Sequence, residues 1–271
     1  MITMKNFIYI ILIIFVASCQ RVIHIDLNSA NPQYVVEAKL FEGTNDFTVR
    51  ITKSSDYFDT ITPPPVNNAI VIIANSSGNN QTAAFVGDGW YRIANYNAPN
   101  NVTYNLTITV DGKVFNASAY LPSHIAIDSI MVDSVPGGGP GPGGPGKGPR
   151  ISLKCIFTDP AGVKNYYKLS YIANGSNPNS QRKYDIFDDK KIDGLQTKNN
   201  LRGRFNKGDT VEVELQSIDA KVYDYFNTVN AIASRDINNN ASPANPNSNI
   251  TGGCLGYFGV FTSDKKVVVI Q

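Results

Sequence analysis

Residue types that carry acid–base or metal chemistry are few in this chain of 271 residues. It has two histidines, His24 and His124, and neither has a second histidine at the i, i+4 spacing of a zinc-binding HExxH helix. The chain also lacks the G-x-S-x-G turn of serine hydrolases and the phosphate-binding loop of nucleotide-binding proteins. We therefore predict that the protein is not an enzyme and has no catalytic residue and no cofactor.

One acidic cluster has the oxygen ligands that calcium prefers. Asp185, Asp188, Asp189 and Asp193 lie close together in the chain. Their spacing does not match an EF-hand loop, and the pair Lys190-Lys191 lies inside the cluster and competes for the carboxylates. The sequence therefore favours a solvated turn, and we predict no metal site.

The cysteine at position 19 has the clearest chemical role. A basic residue, Lys5, precedes an apolar run of 11 residues at 7–17. This is the length of a signal-peptide core, and a spanning helix needs about 20 residues. The ending Val16-Ala17-Ser18-Cys19 resembles the lipobox of bacterial lipoproteins, in which the cysteine thiol accepts a diacylglycerol and the chain is cut just before it.

We therefore expect residues 1–18 to be a lipoprotein signal peptide, Cys19 to be lipidated, and residues 19–33 to form the tether. Acyl chains hold a protein at a membrane by about 0.8 kcal/mol per buried CH₂. An ordinary secretory peptide is the alternative. On the lipoprotein interpretation Cys155 and Cys254 remain as an even pair, which could form a disulfide in an oxidising compartment or stay as two buried thiols.

Short alternating stretches with no helical period predict a mainly β protein. In residues 34–122 about seven strands occur at regular spacing, and Asp111-Gly112 is a type I′ hairpin signal. We expect an antiparallel, immunoglobulin-like or transthyretin-like β-sandwich. The predicted strands include 34–41, 47–52, 69–74, 82–86, 104–110 and 113–121.

Residues 123–271 predict a second β-rich domain with one amphipathic helix. The Gly/Pro-rich residues 136–149 are interpreted as the disordered tip of a hairpin, with an interdomain linker as the alternative. Apolar residues at helical spacing predict a helix over 219–234, capped by Asp219. Two closing strands are expected around a turn at Ser263-Asp264.

Two glycine-flanked aromatic segments are candidate contact sites. Trp90 and Tyr91 could stack on a sugar or belong to the core of the sandwich. Gly256, Tyr257 and Phe258 could contact a partner, or form a strand packed tightly against the helix. Without residues 1–18 the chain is almost neutral and has no basic clusters, so we expect no nucleic-acid partner.

Several segments resemble an uncharacterised family of Bacteroidetes lipoproteins, domain-of-unknown-function family 4249. They are Tyr34 to Ala38, Ile127 to Ile130, Asp159-Pro160, Asn165-Tyr166-Tyr167, and the run from Ser248 to Gly253 that continues into Leu255 to Phe258. Cys254 departs from the small apolar residue that the resemblance implies.

The resemblance implies an outer-membrane lipoprotein of a family often encoded next to TonB-dependent receptors, with no catalytic residues. We therefore expect a lipid-anchored binding protein, an accessory subunit of a TonB-dependent transport system. A surface-exposed glycan- or matrix-binding adhesin is the alternative. Residues 20–22 lack an acidic run that resembles a surface-export signal, which favours the periplasmic face of the outer membrane.

Overall fold

The computed structural model describes residues 32–55, 62–135, 150–176, 184–233 and 245–271. The mainly β prediction is confirmed, and the described part contains sixteen strands and one helix, α1, Ala220–Ala233. In chain order the strands are β1 Tyr34–Phe41, β2 Gly43–Lys53, β3 Ile70–Asn75, β4 Asn80–Thr82, β5 Ala84–Gly87, β6 Trp90–Ala98, β7 Val102–Val110, β8 Lys113–Leu121, β9 Ile127–Val135, β10 Arg150–Thr158, β11 Tyr166–Ala173, β12 Asp185–Asp188, β13 Gln196–Asn200, β14 Thr210–Ile218, β15 Ile250–Thr251 and β16 Leu255–Val269.

The strands form three sheets within one compact unit, Gln33–Gln271. The longest sheet has eight strands in the order β12-β11-β14-β16-β1-β2-β6-β5. A five-stranded sheet, β15-β8-β7-β3-β4, and a three-stranded sheet, β13-β10-β9, complete the fold. Strands from both sides of the expected boundary at residues 122–123 therefore share the eight-stranded sheet.

Two main cores lie along this long sheet. The first joins β1, β2 and β6 to the five-stranded sheet, as a sandwich requires, and includes Phe47, Tyr91 and Phe258. The second joins β11 and β14 to β10 and includes Phe157 and Tyr167. Residues of β16 or its end contribute to both cores, because Val260 belongs to the first and Ile270 to the second.

The final strand corrects one prediction. Ser263-Asp264 is not a turn, since β16 runs unbroken through both residues. Residues 255–261 pair with β1 in parallel, and residues 262–269 pair with β14 antiparallel. Ser263 Oγ donates a hydrogen bond to Glu214 Oε1 at 2.6 Å, and Asp264 Oδ2 accepts one from the Ile127 N–H at 2.6 Å. The two polar side chains that suggested a turn thus form hydrogen bonds with residues of β14 and β9.

The predicted strand over residues 82–86 is also divided. β4 pairs with β3, whereas β5 pairs with β6, so the chain changes sheets at Ala83. Two hairpin predictions are confirmed. Asp111 and Gly112 have φ values of 48° and 74°, as a type I′ turn needs, and β9 pairs antiparallel with β10. The tip of that second hairpin, 136–149, lies outside the described residues.

The predicted helix is confirmed, with the predicted cap. The Val222 N–H donates to Asp219 Oδ1 at 2.8 Å, so the carboxylate satisfies one of the free N–H groups of the first turn. Val222 and Phe226 are buried in a third cluster with Tyr257 and Phe261 of β16. Among the described residues no helix is long and apolar enough to span a membrane.

Candidate functional site

A cleft of about 620 Å³ lies where β8, the start of β11 and the start of α1 meet. Its walls come from three separate parts of the chain, which include Ser118, Tyr120, Lys164, Tyr166, Asp219 and Lys221. Its volume is in the range of ligand-binding pockets, about 300–1,000 Å³. The cleft is therefore a candidate binding site.

Asp219 holds two walls of the cleft together. One carboxylate oxygen caps α1, and the other accepts the Tyr120 N–H of β8 at 3.3 Å. Burial raises the pKa of Asp219, and these two N–H donors partly oppose that rise. Because both oxygens accept backbone N–H groups, Asp219 positions the site and is not a free base.

The remaining polar groups of the cleft are cationic, aromatic or neutral. Lys164 Nζ lies 5.4 Å from the centroid of the Tyr166 ring, and Lys221 Nζ donates to the Ser118 carbonyl at 3.3 Å. The Tyr120 hydroxyl donates to Asn101 Oδ1 at 3.1 Å, and 47% of Tyr120 is exposed. Among the described lining residues Asp219 is the one carboxylate, and there is no histidine or cysteine. This lining suits a ligand with hydrogen-bond acceptors and an apolar face.

A comparison with family models shows which protein family the chain belongs to. The model described as Domain of unknown function (DUF4249) matches residues 20–267. The chain belongs to the DUF4249 family. None of the curated proteins matches it. The match includes every described strand up to residue 267, so the cleft lies wholly within the DUF4249 region.

The DUF4249 chain places Gly256, Tyr257 and Phe258 in the interior, which contradicts the partner contact that was one of the two interpretations of this run. Phe258 is fully buried and Tyr257 is 7% exposed. The Tyr257 ring lies 4.6 Å from that of Tyr225 on α1. A Cβ on Gly256 would lie 1.9 Å from the Val36 carbonyl oxygen. The other interpretation, a strand packed tightly against the helix, describes this segment.

Trp90 and Tyr91 point to different environments. Tyr91 is 1% exposed, and its hydroxyl donates to the Val66 carbonyl and accepts from the Ala69 N–H, each at 2.9 Å. Of the two interpretations of Tyr91, burial contradicts a contact site, and membership of the sandwich core describes it. Trp90 is 39% exposed, and Arg50 Cζ lies 5.5 Å from its ring centroid. Trp90 thus stays available for a contact.

The structure does not bring Cys155 and Cys254 together. Both are free, buried thiols, Cys155 in the second core and Cys254 in the first. Burial raises the pKa of Cys155 to about 12 and that of Cys254 to about 11. Of the two alternatives left open by the sequence, the disulfide is not formed between these residues, and two small apolar core residues describe them.

The solvated turn predicted for the acidic cluster is found only in part, because Asp185 and Asp188 lie in β12 and Asp189, at the turn, is buried. Asp189 Oδ2 accepts the Asn165 N–H at 2.5 Å, and Asp193 Oδ1 accepts the Gly162 N–H at 2.7 Å. These bonds fix the loop that carries Lys164 into the cleft. No group of three or more metal-binding side chains occurs in the described ranges.

The predicted anchor residues cannot be placed, because Cys19 and His24 lie outside the described residues. His124 Nδ1 contacts Glu42 Oε1, which joins the connection between β8 and β9 to the end of β1. The cleft itself was missed by the sequence predictions. Its nearest signals were the Asp219 cap and the family segments at Asp159-Pro160 and Asn165 to Tyr167, which border it.

Proposed function

We propose that this protein is a lipid-anchored outer-membrane protein that works by binding, as an accessory subunit of a TonB-dependent transport system. The cleft carries the proposal. The Asp219 hydrogen bonds hold its walls together, and Lys164 before β11 and Lys221 on α1 bring two cations to its lining. Such a site receives a ligand, or a loop of a transporter, without needing a catalytic group.

The proposed location is supported by the sequence before the described body. The lipobox-like ending at Cys19 gives the lipid acceptor, and the family match starts at residue 20, directly after it. The family segments resemble Bacteroidetes lipoproteins. The periplasmic face of the outer membrane is the proposed side, since residues 20–22 carry no acidic run.

Co-purification in mild detergent tests the proposal. A tagged full chain is compared with the Lys164→Glu/Lys221→Glu variant, which reverses the charge of the cleft, and with Lys198→Glu/Lys207→Glu, which makes the same change at exposed positions elsewhere. We expect a TonB-dependent receptor to co-purify with the wild type and the control and to be lost from the cleft variant. A protein that purifies alone, and whose deletion leaves uptake unchanged, contradicts the proposal.

The aromatic side chains that line the cleft favour a second candidate, a surface adhesin that binds glycan or matrix. Tyr120 and Tyr166 offer ring faces beside hydroxyl and amide groups, a combination that suits sugars. Protease treatment of intact cells separates the two candidates. Cleavage on whole cells supports the adhesin, and protection until the outer membrane is opened supports the periplasmic transport subunit.

A further inference from the structure

A row of four side chains crosses the outer face of the eight-stranded sheet, away from the first core. Trp90 of β6 pairs with Arg50 of β2, and Arg50 pairs in turn with Glu37 of β1. Glu37 then pairs with Tyr257 of β16. Residues that pair directly across a sheet project from the same face, and the residue that follows each of these four is buried in the first core, on the other face. The four side chains therefore form one surface, which we call the outer row. Three strand spacings separate its ends, about 14 Å.

Trp90 and Arg50 form one end of the outer row. Arg50 Cζ lies 5.5 Å from the Trp90 ring centroid, a distance at which a guanidinium is attracted to the face of an indole. Within the described ranges Arg50 forms no ion pair, although Glu37 is its neighbour across the sheet, and its buried Nε has no hydrogen-bond partner. Trp90 is 39% exposed, and Gly87, which pairs with it from the edge strand β5, adds no side chain beside it. This end of the row therefore offers an open aromatic ring and an unpaired guanidinium.

Helix α1 covers the sheet at the other end of the outer row. The centroid of the Tyr225 ring of α1 lies 4.6 Å from that of the Tyr257 ring. Burial, together with the nearby Glu37 carboxylate, raises the pKa of Tyr225 to about 12, so its hydroxyl keeps its proton at neutral pH. Glu37 itself is exposed. A hydroxyl that can donate and a carboxylate that can accept hydrogen bonds thus lie near each other at this end.

A second cation lies on the same face as the outer row. Lys39 is two residues from Glu37 on β1, so the alternation of the strand places both side chains on the outer face. In the part of the chain that the structure describes, Lys39 forms no ion pair. The Arg92 guanidinium of β6, by contrast, is paired with the Asp46 carboxylate at 2.6 Å. The surface around the outer row therefore presents two cations without a described ion-pair partner, Arg50 and Lys39, beside the carboxylate of Glu37.

We propose that the outer row binds an oligosaccharide that contains uronic acid. The apolar face of a sugar ring packs on Trp90, the uronate carboxylate accepts hydrogen bonds from Arg50, and sugar hydroxyls donate to Glu37. A guanidinium can donate two parallel N–H bonds to one carboxylate, and such charge-assisted bonds are stronger than bonds to a neutral hydroxyl. The excess of cations therefore favours an acidic sugar over a neutral one. This inference depends on neither the cleft nor the lipid anchor, and it gives the protein a second binding site.

Calorimetric titration of the full-length protein in mild detergent tests the proposal with trigalacturonate and trimannuronate. Their methyl esters are the matched neutral ligands, because they keep the sugar rings and lose the charge. We expect at least one of the acids to bind about tenfold or more tightly than its ester. The chain contains a single tryptophan, so the emission of Trp90 should change with the same midpoint. No binding of either acid, or equal affinity for acid and ester, overturns the proposal.

Variants show whether the outer row makes the contact. Arg50→Gln keeps a polar amide but removes the charge, and it should weaken acid binding about tenfold or more and abolish the preference over the ester. Trp90→Ala should weaken acid and ester alike. Arg204→Gln, the same change at an exposed position between β13 and β14, should bind as the wild type does. Circular dichroism shows whether each variant is folded. If Arg50→Gln does not fold, Glu37→Gln, at an exposed position, replaces it and should weaken acid and ester alike. Acid binding that persists unchanged in the folded variants of the row overturns the proposal.

The cleft variant separates this site from the proposed transport function. If Lys164→Glu/Lys221→Glu removes acid binding while Arg50→Gln keeps it, the sugar lies in the cleft and the site on the outer row is overturned. Loss of acid binding in Arg50→Gln, with the receptor still co-purifying, supports a separate site. A receptor that fails to co-purify with the wild type contradicts the transport function alone, because the titrations do not depend on it.

Discussion

Trp90-Tyr91 and Gly256-Tyr257-Phe258 have the same character in the sequence, aromatic residues next to glycines, yet they occupy opposite environments. Gly87 and Gly89 form a turn at a sheet edge, and the aromatic ring that follows, Trp90, is partly exposed. Gly256 lies inside β16, where its missing Cβ lets the backbone of β1 approach, and the rings that follow are buried. A glycine therefore indicates exposure or burial of its neighbours only once its place in a turn or a strand is known.

The largest effect should come from closing the space at Gly256. In Gly256→Ala the new Cβ would lie 1.9 Å from the Val36 carbonyl oxygen, at a φ of 95° that favours glycine. We expect a loss of more than about 4 kcal/mol in the free energy of unfolding, measured with urea. Gly253→Ala is the matched control, because it has a φ of 85° but nothing within 4 Å, and it should cost about 1 kcal/mol. Equal losses would mean that the close approach to β1 is unimportant.

The next prediction compares the loss of stability on removing the Phe258 ring with the loss on removing the Trp90 ring. Phe258→Ala leaves a cavity in the first core and should lower the free energy of unfolding by about 3–5 kcal/mol. Trp90→Ala removes a partly exposed ring and should cost less than about 1 kcal/mol. Chemical denaturation followed by circular dichroism measures both. Similar costs would show that Trp90 belongs to the core as much as Phe258 does.

A smaller effect is expected at the helix that covers Tyr257. Asp219→Ala removes the cap of α1 and the bond to Tyr120, at a cost of about 1–2 kcal/mol, while Trp90 emission should not change. A shift in that emission would indicate that the two regions are coupled.

The contribution of Asp219 to the free energy of unfolding should change with pH in a definite direction. Because burial raises the pKa of Asp219, the folded state binds the proton more tightly than the unfolded state, and this carboxyl destabilises the fold as pH rises through the raised pKa. On lowering the pH from 7 to 4, wild type should therefore gain stability relative to Asp219→Asn. The difference between their urea midpoints measures it, and a difference that is constant with pH contradicts the prediction.

The smallest expected effect concerns the reactivity of Cys254, which lies just before the buried run Gly256-Tyr257-Phe258. It involves no change in the stability of the protein. Burial raises the pKa of Cys254 to about 11 and of Cys155 to about 12, so both should be nearly unreactive towards iodoacetamide at pH 8.5 in the folded protein. Both should react in urea without any reductant. Rapid labelling of Cys254 in the native state would mean that this segment opens to solvent.

The features that were predicted correctly from the sequence depend on residues that lie next to one another along the chain. Asp111-Gly112 supplies the positive φ values of its hairpin, and Asp219 caps the helix that begins at the next residue. Ser263-Asp264 was misread because its hydrogen bonds go to Glu214 and Ile127, 49 and 137 positions away. The parallel pairing of β1 with β16 could not be predicted either, because the two strands are far apart in the chain.

The cleft could not be predicted because no short segment contains it. Residues 101–123, 160–166 and 218–221 supply its walls, and only the fold brings them together. The sequence nevertheless identified one of its supports, since the residue that begins the helix also bonds to β8. Trp90 and Tyr91 are adjacent in the chain, yet the alternation of a strand places one outside and the other inside.

The place of β16 between β1 and β14 has a consequence for biosynthesis. Neither main core is complete until residues 255–269 have left the ribosome, because this strand pairs with residues 35–41 near one end of the chain and with residues 210–217. Such distant pairing slows the search for the native state. We therefore expect the nascent chain to stay loosely packed until residues 255–269 have been synthesised, which would make a prematurely terminated product an easy target for proteases.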